Sequence, residues 1–305
     1  MAVRTTVEVA GRRLGLSNLD KVLYPATGFT KGEVIDYYAR VAPVLLPHLA
    51  GRPATRKRYP DGVEGGSFFE KNAPRHTPDW VRTVRLPTPG STTGREEIDF
   101  VVVEELATLV WLANLAALEL HVPQWTVGPR GGARGADLLV LDLDPGAPAT
   151  VVECCAVALL LREALAEDGL QAWAKTSGSK GLQLYVPVRP VPWERTHAYA
   201  RALAERLEAE HGGLVVSRMT KALRPGKVLI DWSQNNGSKT TVAPYSLRAR
   251  EQHTASTPVT WDEVEACRAP EDLRFLAPDV LERVDRLGDL HAPLLDDAHR
   301  GRVPA

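Results

Sequence analysis

Cysteine is scarce in this chain: three residues in 305, two of them the adjacent pair Cys154 and Cys155. That supply gives neither a disulfide framework nor the paired spacing of a zinc site, so a reducing cytosol is the expected setting. Long apolar runs are also missing. No stretch approaches the roughly 20 apolar residues of a membrane span, and the N-terminal MAVRTTVEVAGRRLGLS lacks the apolar run of a signal peptide. A soluble, intracellular protein is expected. There is no internal repeat and no low-complexity tract, and a formal net charge of −1 argues against a general polyanion binder.

The near-zero charge hides a segregation. From Val216 to Arg250 seven basic residues stand against one acidic residue, Asp231, whereas from Asp262 to Asp297 eleven acidic residues stand against four basic ones. Such asymmetry suits a basic face for a phosphate-rich ligand beside an acidic, solvated region. With 44% hydrophobic residues the chain can bury a substantial core, as one large domain or two interlocked ones.

The segment LVLDLDPG, residues 139–146, ends an apolar strand with Asp142 and Asp144 two positions apart. Residues two apart on a strand share a face, so the two carboxylates are expected side by side. Like charges that close require a cation, a shared proton or an arginine between them, or else a surface position facing water. On its own, D-x-D does not decide among these. Asp231 closes a second apolar strand, KVLIDWS, and three carboxylates at strand ends of one sheet can meet on one surface. Oxygen-only ligands suit Mg²⁺ or Mn²⁺ rather than zinc.

Around these strands the order is regular. Thr150 and Glu153 have capping-box spacing at the head of a helix reaching about Asp168. QAWAKTS and LQLYVPV are strands joined by Gly178-Ser179-Lys180-Gly181, ERTHAYARALAERLEAEH is a helix stopped by Gly212-Gly213, and LVVS and KVLIDW are strands. The order β-α-β-β-α-β is that of the ferredoxin-like split βαβ unit. The loop TSGSKG has the serines, exposed N–H groups and Lys180 of a phosphate cradle, although not the spacing of a Walker A loop, and it is equally a good hairpin turn. Nearer the N-terminus, Thr30 and Glu33 form another capping box, with Pro43 and Pro47 expected to kink or divide the helix that follows. Residues 104–120, EELATLVWLANLAALEL, read as one buried helix. Arg56, Lys57 and Arg58, with the paired Phe68 and Phe69 in a glycine-rich loop, offer charge and aromatic faces for nucleic acid, or a hydrophobic plug beneath a loop.

Taken together, NLDKVLYPATG, TRKRYPDG, FFEKNAP, ALELHVPQW, LDLDPG, TSGSKGLQLY and DWSQNNGSKTTVAPYSLRAR resemble the polymerase domain of bacterial DNA ligase D, of the archaeo-eukaryotic primase superfamily, over about residues 10 to 250. Stand-alone bacterial primase-polymerases that fill short gaps share these motifs. The resemblance implies an α+β primase-polymerase fold: an RRM-like catalytic sheet at about 131–250, an interlocked N-terminal α/β part at about 1–130, and an acidic helical part at about 258–300. It implies that Asp142, Asp144 and Asp231 bind two Mn²⁺ or Mg²⁺ ions, and that Lys57, Arg58, His121, Ser177, Lys180, Gln183, Gln234 and Arg248 surround an incoming nucleotide. Asn18, Lys21 and Lys31 match a pocket for the 5′-phosphate of a gap, and Phe68 and Phe69 match a template-stacking pair. The family usually has histidine where this chain has Gln183, a departure that points toward the stand-alone relatives and bears on a triphosphate or metal-adjacent contact. The implied activity is template-dependent addition of ribonucleotides or deoxyribonucleotides at gaps or broken duplex ends carrying a 5′-phosphate. NTPs and dNTPs would be the substrates, and ribonucleotides the preferred ones. The chain holds no K-x-D-G ligase motif, so sealing is expected from another domain or a separate DNA ligase, with an end-binding protein such as Ku as a further partner. Two other classes stay open at this point: a DNA-end binding module with an idle site, and a metal-dependent phosphohydrolase.

Overall fold

The structure is a computed structural model and describes residues 4–88 and 96–304. Strand Ala133–Pro145 organises the larger sheet. Its neighbours run in the order Val215–Val216, Val228–Asp231, Ala133–Pro145, Leu182–Val191, Trp173–Thr176, Pro258–Val259, with Trp125–Val127 pairing on Ala133–Pro145. Counting Ala133–Pro145, Trp173–Thr176, Leu182–Val191 and Val228–Asp231 as strands 1 to 4, the spatial order is 4-1-3-2 with antiparallel pairings throughout. This is the split βαβ arrangement expected from the sequence.

Strand alternation decides which side of this sheet becomes core. Leu139, Leu141 and Leu143 are fully buried against helices Val151–Glu167 and Trp193–Glu210. Leu138 and Val140 face the other way, onto Tyr185 and Leu294, and Asp142 and Asp144 continue that second face. Truncating Leu141 to Ala would cost about 2–5 kcal/mol by the usual large-to-small penalty. Thr150 caps the first helix as expected, its backbone N–H and hydroxyl both bonded to Glu153 and its Oγ accepting from Val152 N–H.

A second sheet lies on the N-terminal side, in the order Thr241–Val242, Ala117–Val122, Pro53–Arg58, Glu97–Val102, Thr83–Pro87, with Phe68–Glu70 on Pro53–Arg58. Helices Lys31–Leu49 and Leu106–Asn114 share its apolar core. The two sheets are tied by a nearly buried ion pair, Arg52 Nη1 to Asp137 Oδ1 at 2.8 Å, and by the hydroxyls of Tyr185 and Thr241, 2.7 Å apart. Buried charges tolerate little displacement once paired, so these contacts fix how the sheets face each other. Among the described residues no helix is long and apolar enough to cross a membrane.

Two readings of the sequence are corrected. The run 104–120 is not one helix: Leu106–Asn114 is helical, Ala116 turns the chain with φ of 57°, and Ala117–Val122 is a strand paired with Pro53–Arg58. An apolar run carries no periodicity to distinguish the two states, and strand pairing overrides the helix preference of the alanines and leucines. Nor do Pro43 and Pro47 divide the helix Lys31–Leu49, which starts on the expected Thr30–Glu33 capping box. Both prolines are on its exposed side, where water can satisfy the carbonyls that lose a partner.

The C-terminal region closes over the junction of the sheets. His48 pairs with Asp289 at 2.8 Å, Tyr245 donates to the same carboxylate, and the fully buried His291 donates Nε2–H to the Ala174 carbonyl at 3.1 Å. Nδ1 of His291 has no hydrogen-bond partner among the described residues. Burial, with His48 adding to it, pushes the imidazole pKa down to about 3. The unfolded chain therefore takes up this proton first as pH falls, so the stability that neutral His291 supports is intact above about 6.5 and is lost toward 3. The expected outcome is a melting temperature that drops between pH 7 and 5, with a His291→Gln variant flattening the slope by roughly one proton, about 1.4 kcal/mol per pH unit. Melts followed by circular dichroism check it, and identical slopes in both proteins would remove His291 as a cause.

Candidate active site

Register places one row of side chains across the polar face of the larger sheet. Asp231 pairs with Asp142, Asp142 with Gln183, and Gln183 with Lys175. Asp144 lies two residues along from Asp142 on the same face. One ligand oxygen from each of Asp142, Asp144 and Asp231 falls within 4.8 Å of the others. Burial first, then repulsion from Asp144, pushes the Asp142 pKa up to about 7, against the pull of the Gln183 hydrogen bond. Asp144 is raised by burial and by Asp231, with Lys180, Arg224 and Arg248 opposing the rise. A cluster of hard oxygen donors whose charges are this poorly tolerated fits a divalent cation such as Mg²⁺ or Mn²⁺, because the cation removes the repulsion.

Asp231 is oriented by its own turn. Its Oδ1 accepts from Ser233 N–H at 3.0 Å and from the Ser233 hydroxyl, and its Oδ2 accepts from Gln234 Nε2 at 2.8 Å. Gln234, expected beside the nucleotide, is thus hydrogen-bonded to a carboxylate of the cluster. Gln183 is likewise committed within the protein: Lys175 Nζ donates to its Oε1 at 2.5 Å and its Nε2 donates to Asp142 Oδ1 at 3.0 Å.

Beyond the strand end, Ser177–Gly181 closes on itself. Ser177 N–H donates to the Gly181 carbonyl at 2.9 Å, while Ser177 Oγ accepts from the N–H groups of Ser179 and Gly181. Those two amides, expected to point at phosphate, are therefore satisfied internally. The Ser177 hydroxyl hydrogen and the exposed Lys180 are left as donors, and Lys180 is close enough to Asp144 to lower its pKa. Gly178 has φ of 65°, and a Cβ there would meet Arg248 Cγ at 2.6 Å. Only glycine fits, which lets Arg248 Nη1 reach the Ser177 carbonyl at 2.5 Å.

The second sheet contributes a facing cluster. His121 and Glu119, two apart on Ala117–Val122, share a face, with Nε2 donating to the carboxylate at 2.8 Å. Glu119 also holds Arg248 Nε at 3.4 Å and accepts from Ala249 N–H at 3.1 Å. Burial alone would raise the Glu119 carboxyl, but His121, Arg248 and Ala249 hold it down to about 2. Burial lowers the His121 pKa, against the hydrogen bond and charge of Glu119. Lys57 pairs with both Glu119 and Phe69, and the Phe69 ring meets His121 edge-on at 5.6 Å. Glu119 escaped the sequence reading because its segment was taken as helix; the alternation Glu119-x-His121 was the signal.

Consecutive strand residues project to opposite faces, so Lys57 and Arg58 part company. Arg58 turns away, bonding the Leu115 carbonyl and Glu70 at 2.8 Å each. Its charge instead reaches Lys31. Phe68 and Phe69, consecutive on their strand, are 55% and 54% exposed.

Lys31 and Lys21 do come together. Lys31 is 6% exposed with Nζ 2.6 Å from the Ser17 carbonyl, and burial, Lys21 and Arg58 push its pKa down to about 8. The Lys21 ammonium pairs with the exposed Asp61, at 2.8 Å. Asn18, with φ of 53°, opens the turn that leads into Lys21 and accepts Lys21 N–H through its carbonyl.

The model of the LigD primase-polymerase domain matches residues 30–291. The chain belongs to this family. It is 46% identical over 289 residues to the multifunctional non-homologous end joining protein LigD of Mycolicibacterium smegmatis, covering 94% of this chain and 36% of that protein. It is 33% identical over 278 residues to the bifunctional non-homologous end joining protein LigD of Bacillus subtilis, covering 90% and 43%. This chain thus spans less than half the length of these relatives. Among solved structures, the polymerase domain of Mycobacterium tuberculosis ligase D in complex with DNA superposes with a TM-score of 0.87 at 44% identity, covering 93% of this chain and 99% of that one. The primase-polymerase fold expected from the sequence is therefore the fold observed.

The electrostatics of this LigD primase-polymerase site generate one prediction. Mn²⁺ should raise the melting temperature, by about 2.7 kcal/mol of stability at 100 times its dissociation constant. Asp142→Asn should raise the melting temperature of the metal-free protein, by relieving repulsion, and abolish most of the Mn²⁺ increment. Differential scanning calorimetry at pH 7.5 checks both; an Mn²⁺ increment that survives in Asp142→Asn would place the ion elsewhere.

Proposed function

We propose that the chain is a template-dependent nucleotidyltransferase that extends a 3′-OH at short gaps or broken duplex ends during DNA repair. Mn²⁺ is the preferred metal and ribonucleotides are the preferred substrates. The observation that carries this reading is the meeting of Asp142, Asp144 and Asp231 within 4.8 Å beside a cationic rim of Lys180, Arg224 and Arg248. Divalent cations held there, when bound, lower the pKa of an attacking hydroxyl and neutralise a leaving pyrophosphate. The chain itself supplies position and charge. Lys180, Arg248 and the Ser177 hydroxyl bind triphosphate oxygens, and Lys57 and His121 close the pocket from the facing sheet. Phe68 and Phe69 offer ring faces to a template strand. Lys21 and Lys31, held over the Asn18 turn, bind the 5′-phosphate beyond the gap. Sealing falls to a ligase on the same polypeptide, as the names of the LigD relatives suggest, or on another, and an end-binding protein such as Ku is a further candidate partner.

The test is extension of a gapped duplex with Mn²⁺ and each nucleotide type. Asp142→Ala should abolish extension while leaving DNA binding nearly unchanged. A DNA-end module with an idle site would show binding without extension in the parent chain, and a phosphohydrolase would release phosphate without extending the primer.

The 5′-phosphate pocket carries its own expectation. A lysine whose pKa is lowered loses charge as pH rises through it, so the preference for phosphorylated gaps should hold at pH 7 and fade above about 8. The double variant Lys21→Ala/Lys31→Ala should lose the preference at every pH and flatten the salt dependence of binding by up to about 0.9 log units per phosphate contact. Fluorescence anisotropy with gaps that carry or lack the phosphate reads both, and an unchanged preference in the double variant would refute the pocket.

A further inference from the structure

Lys175 ends the row of side chains described above, outside the three-carboxylate cluster, and it is fully buried. Among the described residues no carboxylate lies within 4.0 Å of its ammonium group. Its Nζ donates to Ser256 Oγ and to Gln183 Oε1, each at 2.5 Å, and lies 5.2 Å from the centre of the Tyr185 ring. Ser256 Oγ gives its own hydrogen to the Thr176 carbonyl at 2.8 Å, so toward Lys175 it can only accept. Both Lys175 bonds are therefore donations, and the amine and the ammonium alike supply the two hydrogens.

Gln183 stands between groups of fixed polarity. Lys175 donates and the Asp142 carboxylate accepts, and a primary amide meets both in one orientation only, oxygen toward Lys175 and nitrogen toward Asp142. The amide therefore cannot flip without losing two buried hydrogen bonds, and a donor bonded at its oxygen polarises it toward a stronger donation from nitrogen. Asp142 Oδ1 is capped, and the other carboxylate oxygen is left for the cluster.

We propose that Lys175, acting through Gln183, is a positioning residue that fixes the orientation of Asp142 and so sets the affinity of the three-carboxylate cluster for divalent cations. The proposal rests on the reading that Asp142, Asp144 and Asp231 hold such cations. A buried lysine alone is explained by packing, but a packing role gives no reason for its bonds to end on the amide that holds Asp142.

The measurement is Mn²⁺ titration of the full chain, without DNA or nucleotide, following free Mn²⁺ by electron paramagnetic resonance, with melting temperatures in parallel. Lys175→Met and Gln183→Met should each weaken Mn²⁺ binding about tenfold, the size of one charge-assisted hydrogen bond. The double variant should bind no more weakly than Gln183→Met, since Lys175 acts only through that amide. Gln183→Glu, which keeps a partner for Lys175 and protects the fold if Lys175→Met is unstable, offers Asp142 no donor and should also bind less tightly, although its added charge alone would favour the cation. Unchanged Mn²⁺ affinity in Lys175→Met with a lowered melting temperature, losses that multiply in the double variant, or unchanged or tighter binding in Gln183→Glu each overturn the proposal. If the parent chain takes up no Mn²⁺, the metal reading itself falls and the proposal with it.

Discussion

Three carboxylates within 4.8 Å on one face of a sheet repel one another, and much of the surrounding structure makes that repulsion bearable. Burial and the charges of Asp144 and Asp231 push the Asp142 pKa well above the usual carboxylate range. Each carboxylate has its own support: the Gln183 amide for Asp142, the Ser233–Gln234 turn for Asp231, and the field of Lys180, Arg224 and Arg248 for Asp144. None of these supports is an ion pair with the cluster. The nearby cations act at a distance and not as ion pairs, which leaves the carboxylates room for a bound cation rather than closing them in a salt-bridge network.

The same economy of faces runs through the fold. Alternation along Ala133–Pro145 gives its odd-numbered leucines to the helices and its even-numbered positions to the junction between sheets. Antiparallel register then sets Asp231, Asp142, Gln183 and Lys175 in line without any loop to position them. Groups on regular strands are held more tightly than groups on loops. The parts that meet phosphate in the proposed reaction lie instead at loops and element ends, Lys180 in a loop and Lys21 and Lys31 just before a strand and at the start of a helix, where partners of variable shape can be met.

What was legible in the sequence follows from this division. The D-x-D spacing, the third aspartate at a strand end, the split βαβ order and the capping boxes all show in local pattern, because period two and cap chemistry are local rules. Glu119 and Lys175 did not show. Glu119 and its alternation with His121 follow closely on the largely apolar LATLVWLAN, so the segment reads as a continuation of that helix, and Lys175 in AWAKTS has the look of a solvent-facing lysine until the Pro258–Val259 strand and Ser256 cover it. The side to which Arg58 turns was readable from alternation, but the resemblance grouped it with Lys57. The internal use of both Gln183 amide atoms depends on neighbours 41 residues and 8 residues away in the chain, beyond the reach of any spacing rule.

The central claim is that the three aspartates hold catalytic cations against a triphosphate. The most direct test is a crystal of the chain grown with Mn²⁺ and a non-hydrolysable nucleoside triphosphate, with anomalous scattering recorded for manganese. The account predicts anomalous density between Asp142, Asp144 and Asp231, with the triphosphate against the Ser177–Gly181 loop. Manganese bound by the nucleotide alone, away from those carboxylates, would contradict it.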